Sequence, residues 1–399
     1  MNILVLAQQF FPDSVGGSAR VAFDQAKHLV QRGHQVTVIA PRLKKELQQQ
    51  ETIEGVVVVR YGNGRPFFLG QSVTDLWLLP KVLEQTLRNQ KFDIVVAHQP
   101  TVAFAALPLI HKIPLLYLFH ASVPKEVSFQ GLTGKYRFIK NFAKGIFLRR
   151  MAKIEEEVLE ESNRIVVLSE YSKELVASLY PSVSGKVSRI HTGIDITTYA
   201  PSRSKALMRS RLGVPEDCTM LLTVRRLVPR MGLLPLVESF ARVAPDFPDA
   251  RLYLVGEGPL YAELQRKIKE EDMQDRILLT GRVREADLPM WYKAADVFVL
   301  STQVYEGLGI ATLEALSCGL PVLGTPIGAT VELLEQVDES LLFKDASVEG
   351  MEEGMRNFLQ EKISDVSVGG RARDFVKREY TWEHAVVELE QEMTTCLTK

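Results

Sequence analysis

Strand-like and helix-like segments alternate along the whole 399-residue chain, and the alternation runs through twice. Short, nearly continuous apolar runs stand at Ile3–Ala7, Val36–Ala40, Val56–Arg60, Asp93–His98, Leu115–His120, Arg164–Ser169 and Lys186–His191. Helical patterns lie between them. Ser18–Gln31 places Val21, Ala22, Ala26, Leu29 and Val30 on one face, and Gly33 ends it. Val73–Asn89 and the long Lys135–Glu161 are further helical patterns. Strands that are apolar on both faces need cover on both faces, so the sheet is expected to be parallel with helices on either side. Thr197–Ser204, with Pro201, breaks the pattern. It restarts with strand-like runs at Met220–Arg225, Arg251–Val255, Ile277–Thr280, Val297–Ser301 and Pro321–Gly324. The length also exceeds one ordinary core. The expected fold is therefore α/β, with two doubly wound, Rossmann-like domains. Residues 1–196 form the first, 197–204 a linker, 205–379 the second, and 380–399 a C-terminal helix assigned to pack back on the first domain.

Apolar content of 46% and charged content of 24% suit a globular chain. No apolar run reaches membrane-spanning length, and the one at the N-terminus is too short for a signal peptide. Cys218, Cys318 and Cys396 have neither metal nor disulfide spacing, which suits a reducing, cytoplasmic setting. The net charge of −1 hides an asymmetry: residues 1–200 carry 24 Lys and Arg against 17 Asp and Glu, and the remainder 24 against 32. The two halves are thus expected to face different partners. No nucleic-acid partner is expected.

In doubly wound sheets ligands bind beyond the carboxyl ends of the strands. Gly16-Gly17, His120, Arg226 and Glu306 all follow strand-like runs, so they converge on one expected active site in a cleft between the domains. The most informative stretch is Glu306-Gly-Leu-Gly-Ile-Ala-Thr-Leu-Glu314. Gly307 and Gly309 let backbone approach a ligand closely. The free N–H groups around Leu308 to Ile310 open a helix and attract anions. A carboxylate, an anion cradle and a second carboxylate match a nucleotide-sugar, which has hydroxyls at both ends and phosphate between. Taken alone, Glu306 reads more simply as an acid favoured by a helix dipole.

The fragments "HTGIDITTYAPS", "VRRLVPRMGL", "VGEGPLYAELQRKI", "GRVREADLPMWYKAADVFVLST" and "EGLGIATLEALSCGLPVLGT", in this order, resemble retaining glycosyltransferases of the GT-B fold, family 4. The resemblance covers nearly the whole chain. It implies transfer of a sugar from a nucleoside-diphosphate sugar to a sugar, lipid-linked or small-molecule hydroxyl, with the anomeric configuration kept. It also implies that no metal or other cofactor is needed. By the same resemblance Glu314 meets the ribose hydroxyls and Glu306 the donor sugar. Leu308 and Gly309 offer backbone N–H groups, and Arg226 binds the diphosphate. Gly17 nears the phosphate and acceptor, and Val283 pairs with the base. Gly256, in Gly256-Glu-Gly258-Pro259, reads as a strand-to-helix turn near the nucleotide. One position departs from the pattern. Where the family commonly has a lysine before a glycine, this chain has Met231 before Gly232. Either Arg230 or Arg225 stands in for it, or donor binding is weaker.

A lone histidine is more often structural than functional. The strand-end position of His120, matched to the family's active-site histidine, assigns it to the donor sugar, whereas His98 reads as structural. Ser18 reads as a helix N-cap. Asp13 is either a solvated loop acid or an acceptor contact. Lys135–Ile154 holds seven basic residues and no acidic one, with Phe138, Phe142, Ile146 and Phe147 at helical spacing. It is either a face for an anionic membrane surface or acceptor, on the cytoplasmic side, or a domain helix with its lysines in water. Two other functions fit the same residues: a GT-B sugar-nucleotide epimerase or phosphorylase, and a non-catalytic sugar-nucleotide-binding protein.

Overall fold

The computed structural model describes residues 1–14, 16–64, 71–129, 137–361 and 366–398. Two compact units emerge. Of the described chain, the first holds residues 1–128, 137–193 and 382–398, and the second holds 194–381, with Phe129.

In the first unit the strands are β1 Asn2–Leu6, β2 Gln35–Pro41, β3 Gln50–Ile53, β4 Val56–Tyr61, β5 Ile94–Ala97, β6 Leu115–Leu118, β7 Arg164–Val167 and β8 Val187–Arg189. They form one sheet in the order β3-β4-β2-β1-β5-β6-β7-β8, parallel except at β3. β1, β5 and β6 are buried along almost their whole length, as the unbroken apolar runs require. β3 is the one strand the apolar pattern does not mark. Its residues, Gln-Glu-Thr-Ile, form a polar antiparallel edge on β4, where half-exposed side chains suffice.

In the second unit the strands are β9 Thr219–Val224, β10 Ala250–Val255, β11 Ile277–Gly281, β12 Val297–Leu300 and β13 Val322–Gly324. The sheet runs β11-β10-β9-β12-β13, and every pair is parallel. Each sheet has one point where the strand order reverses. It lies between β1 and β5 in the first unit and between β9 and β12 in the second. That reversal opens a crevice at the strand ends.

The helix Trp382–Leu397 belongs to the first unit. The Trp382 ring stacks on His28 at 5.1 Å. Glu388 meets His191 at 3.0 Å, Glu390 meets Arg32 at 2.7 Å, and Glu392 meets Arg164 at 2.6 Å. Part of the charge asymmetry between the halves is therefore internal: acids from the C-terminus pair with cations of the basic first 200 residues. The expected linker 197–204 lies within the second unit, where Tyr199 is buried and its carbonyl accepts from the Ser317 hydroxyl at 2.6 Å.

The basic stretch falls on the helix Arg137–Glu161. Lys135 lies outside the described residues, and described side chains on this helix begin at Gly145. Ile146 and Phe147 are exposed, 56% and 42%, beside exposed Arg149, Arg150 and Lys153. From Met151 on, Ile154, Val158 and Leu159 turn into the core. Among the described residues no helix is long and apolar enough to cross a membrane.

Candidate active site

In the second unit the candidate residues follow the carboxyl ends of four adjacent strands: Val283 after β11, Gly256 after β10, Arg225 and Arg226 after β9, and the Glu306 loop after β12. Gly256 is required by packing as well as by its φ of 146°. A Cβ there would lie 2.0 Å from the carbonyl oxygen of Arg225. The strand ends therefore touch backbone to backbone.

Glu306 is buried. Its Oε2 accepts from Arg225 Nη2 at 2.7 Å and from the Thr302 hydroxyl at 2.7 Å. Arg225 Nη1 closes the triangle by donating to Thr302 Oγ1 at 2.8 Å. The backbone is held too, since Ala329 N donates to the Glu306 carbonyl at 2.9 Å. Burial pushes the Glu306 carboxyl up, but the Arg225 charge, the Thr302 hydrogen bond and the nearby Arg230 charge outweigh it and hold the group below the ordinary carboxylate range. Glu306 is thus an ionised acceptor with one oxygen clamped. Its Oε1 has no hydrogen bond among the described residues and is open to a ligand.

Gly309 caps the helix Ile310–Ser317 at a φ of 79°, a conformation that favours glycine. The helix places Glu314 in its second turn, where the carboxylate accepts from the Tyr292 hydroxyl at 2.7 Å. Burial and the Glu314 charge push the Tyr292 hydroxyl well above its ordinary value, so it remains a donor. Leu308 is buried, so its contribution to any ligand comes from backbone. Arg226 is exposed, and its side chain makes no hydrogen bond or ion pair among the described residues. Arg230 donates to the Tyr305 carbonyl at 2.9 Å. Met231 is 6% exposed, a core residue in the slot where a lysine was expected.

In the first unit Gly16 takes the N-cap position and Gly17 is the first residue of the helix Gly17–Gln31. Ser18 is not the cap. Its hydroxyl donates instead to Gln9 Oε1 at 3.1 Å. Asp13 is neither solvated nor free for an acceptor. Its side chain is 3% exposed and takes both Arg60 Nε, at 2.5 Å, and Arg60 Nη2, at 3.0 Å. Arg60 also meets Glu51, so a buried charge network ties the glycine loop to β4.

His98 and His120 follow the neighbouring strands β5 and β6. His98 Nδ1 and His120 Nε2 are 3.1 Å apart, with the rings stacked at 5.3 Å. Burial and the neighbouring His120 hold His98 well below its ordinary value, and burial holds His120 at about 4 against an ordinary 6.5. Both rings are neutral at pH 7, so one donates and the other accepts. His98 is thus a buried ring hydrogen-bonded to His120. Thr302 and Tyr292 were not singled out in the sequence, and Arg225 was weighed only as a stand-in for the missing lysine, not as a partner of Glu306. The Arg225–Glu306 contact spans 81 residues, and only strand order brings it together.

Residues 15–198 match the family described as Glycosyltransferase Family 4, and residues 204–375 match Glycosyl transferases group 1. The chain is 26% identical over 396 residues to an uncharacterised glycosyltransferase of Methanocaldococcus jannaschii, covering 97% of this chain and 96% of that one. Sucrose-phosphate synthase from Thermosynechococcus elongatus shares the fold with a TM-score of 0.83 at 19% identity, covering 100% of this chain and 99% of that one. Anabaena HepE in complex with UDP-glucose does so with a TM-score of 0.73 at 21% identity, covering 100% and 99%. The fold is GT-B, and the chain belongs to the family 4, or group 1, glycosyltransferases.

Proposed function

We propose that the enzyme moves a sugar from a nucleoside-diphosphate sugar to a hydroxyl acceptor with retention of anomeric configuration and without a metal. The observation that carries this reading is the half-clamped Glu306, with Oε2 held by Arg225 and Thr302 and Oε1 open, one helix turn and a glycine cap away from Glu314. Glu306 Oε1 accepts from a donor-sugar hydroxyl and fixes the anomeric carbon. Glu314, steadied by Tyr292, takes the ribose. The exposed Arg226 guanidinium bridges the diphosphate oxygens, and the N–H groups at Leu308, Gly309 and Ile310 add donors. Val283 offers backbone to the base, and Gly256 lets the nucleotide approach the sheet. Gly17 and the neutral His120 are assigned to the acceptor side and the donor sugar.

Chemistry then rests on charge and position. As the glycosidic bond to phosphate breaks, negative charge grows on the leaving diphosphate, where Arg226 and the helix N–H groups stabilise it. The acceptor oxygen bonds to the anomeric carbon on the face from which the phosphate departs, and the leaving phosphate takes the acceptor proton, so configuration is kept. The HepE complex contains UDP-glucose, which supports a sugar-nucleotide donor. Calorimetry against UDP, GDP, ADP and their sugars, followed by NMR of the product anomer with and without EDTA, tests the whole reading. An inverted product, or activity abolished by EDTA and restored by a divalent ion, contradicts it.

The exposed Ile146 and Phe147 beside Arg149, Arg150 and Lys153 support a second element: this face meets an anionic membrane surface that carries a lipid-linked acceptor. The protein then pellets with anionic vesicles at low salt and is released at high salt, because such attraction is screened within a Debye length. Equal recovery in the supernatant with anionic and neutral vesicles returns the face to a solvated one.

A further inference from the structure

We propose that Arg225 is a positioning residue that fixes Glu306 for the donor sugar and supplies the positive charge that Met231 does not. This rests on the reading of Glu306 as the donor-sugar carboxylate.

Three observations converge. The Arg225 side chain is 7% exposed, and it donates to both Glu306 Oε2 and Thr302 Oγ1. A buried guanidinium is not placed there for a surface ion pair. It orders two acceptors at once and leaves the other Glu306 oxygen without a hydrogen bond among the described residues. Second, the Arg225 Nε is buried with no hydrogen-bond partner in the structure, so this cation has unspent donor capacity. Third, the 231 slot and Arg225 meet the same strand end. The Ser301 hydroxyl donates to the Met231 carbonyl at 2.8 Å, Gln303 N donates to the Arg230 carbonyl at 2.8 Å, and Thr302 between them accepts from Arg225. A lysine at 231 would start from backbone already packed on that strand end. Arg225 enters from β9 and fills the charge, and an apolar methionine then suits the buried slot.

Facing Glu306 are Arg225 from the end of β9 and Arg230 from the turn Pro229–Met231, and Tyr292 faces Arg225. Without Arg225, Glu306 keeps only the Arg230 charge beside it.

The test is a double-mutant cycle of Arg225→Gln and Met231→Lys. It is read by calorimetry with whichever of UDP-glucose, GDP-mannose or ADP-glucose binds the wild type, and with the matching free nucleoside diphosphate. Arg225→Gln should weaken the sugar-nucleotide on the order of tenfold or more, as expected for loss of a charged hydrogen-bonding partner, and the free nucleotide less. It should also move the acid limb of sugar-nucleotide binding to higher pH, since Glu306 stays buried without its cation. Arg225→Lys should restore the acid limb. Met231→Lys should add nothing to the wild type yet recover affinity in the Arg225→Gln background. If Met231→Lys tightens the wild type tenfold, the slot was vacant and the proposal fails, whether or not Arg225→Gln folds. An unchanged acid limb in Arg225→Gln also overturns it. If the wild type binds none of these nucleotides, the donor reading itself falls, and this proposal with it.

Discussion

The two strand-end regions treat polar side chains in opposite ways. At the crevice of the first unit they close on one another: Asp13 and Arg60 pair out of water, and His98 and His120 share one hydrogen bond as neutral rings. At the crevice of the second unit they stop short of closure. Glu306 keeps one oxygen open, and Arg226 stands exposed without a partner among the described residues. The first region is built to hold shape and to present backbone and neutral groups, which suits sugar hydroxyls. The second keeps charge in reserve, which suits a diphosphate. The contrast predicts that mutations in the first region act mainly on stability and those in the second on binding and turnover.

The largest expected effect tests the closed side. Arg60→Met strands Asp13 in a buried site, and breaking such a pair costs about 3–5 kcal/mol of stability. Thermal and denaturant unfolding of the purified variant measures it. A loss near zero would mean that the glycine loop is not held by this network.

Next comes the open side. Arg226→Ala should leave the melting temperature near wild type, because the side chain is exposed. It should cut transfer about a hundredfold or more, equivalent to about 2–4 kcal/mol of transition-state stabilisation. Steady-state kinetics decides. Wild-type turnover would remove Arg226 from the diphosphate and break the contrast.

A smaller effect concerns the histidine pair. Each is neutral in the fold at pH values where an unfolded imidazole binds a proton. The unfolded state therefore takes up more protons between 6.5 and about 4, and stability is present above pH 6.5 and falls as pH drops toward 4. His98→Asn should make that fall shallower in melts taken across the range. An unchanged slope would show that the pair does not govern acid stability.

The fold was legible because its strands are buried on both faces. β1, β5 and β12 announce themselves as unbroken apolar runs, whereas β3 is a polar edge and does not. Within the candidate site, the placement of Glu306 on the loop before a glycine-capped helix and of Glu314 in that helix was legible, because local spacing carries the information. Their partners were not. Arg225 reaches Glu306 only because β9 and β12 are neighbours at the point where strand order reverses, and His98 reaches His120 only because β5 and β6 pair. The burial of Asp13 depends on Arg60, 47 residues away on β4. Residue type and spacing name the candidate groups; topology decides which groups hold them.

The central claim is the division of labour between the two carboxylates, and calorimetric binding of the free nucleoside diphosphate to Glu306→Gln and Glu314→Gln tests it most directly. Glu314 is assigned to the ribose, so its loss should weaken free nucleotide and donor alike and raise KM more than it lowers kcat. Glu306 is assigned to the sugar, so its loss should leave free-nucleotide affinity nearly intact and lower kcat strongly. The reverse pattern, with affinity lost in Glu306→Gln and kept in Glu314→Gln, would contradict the placement of the whole 306–314 stretch.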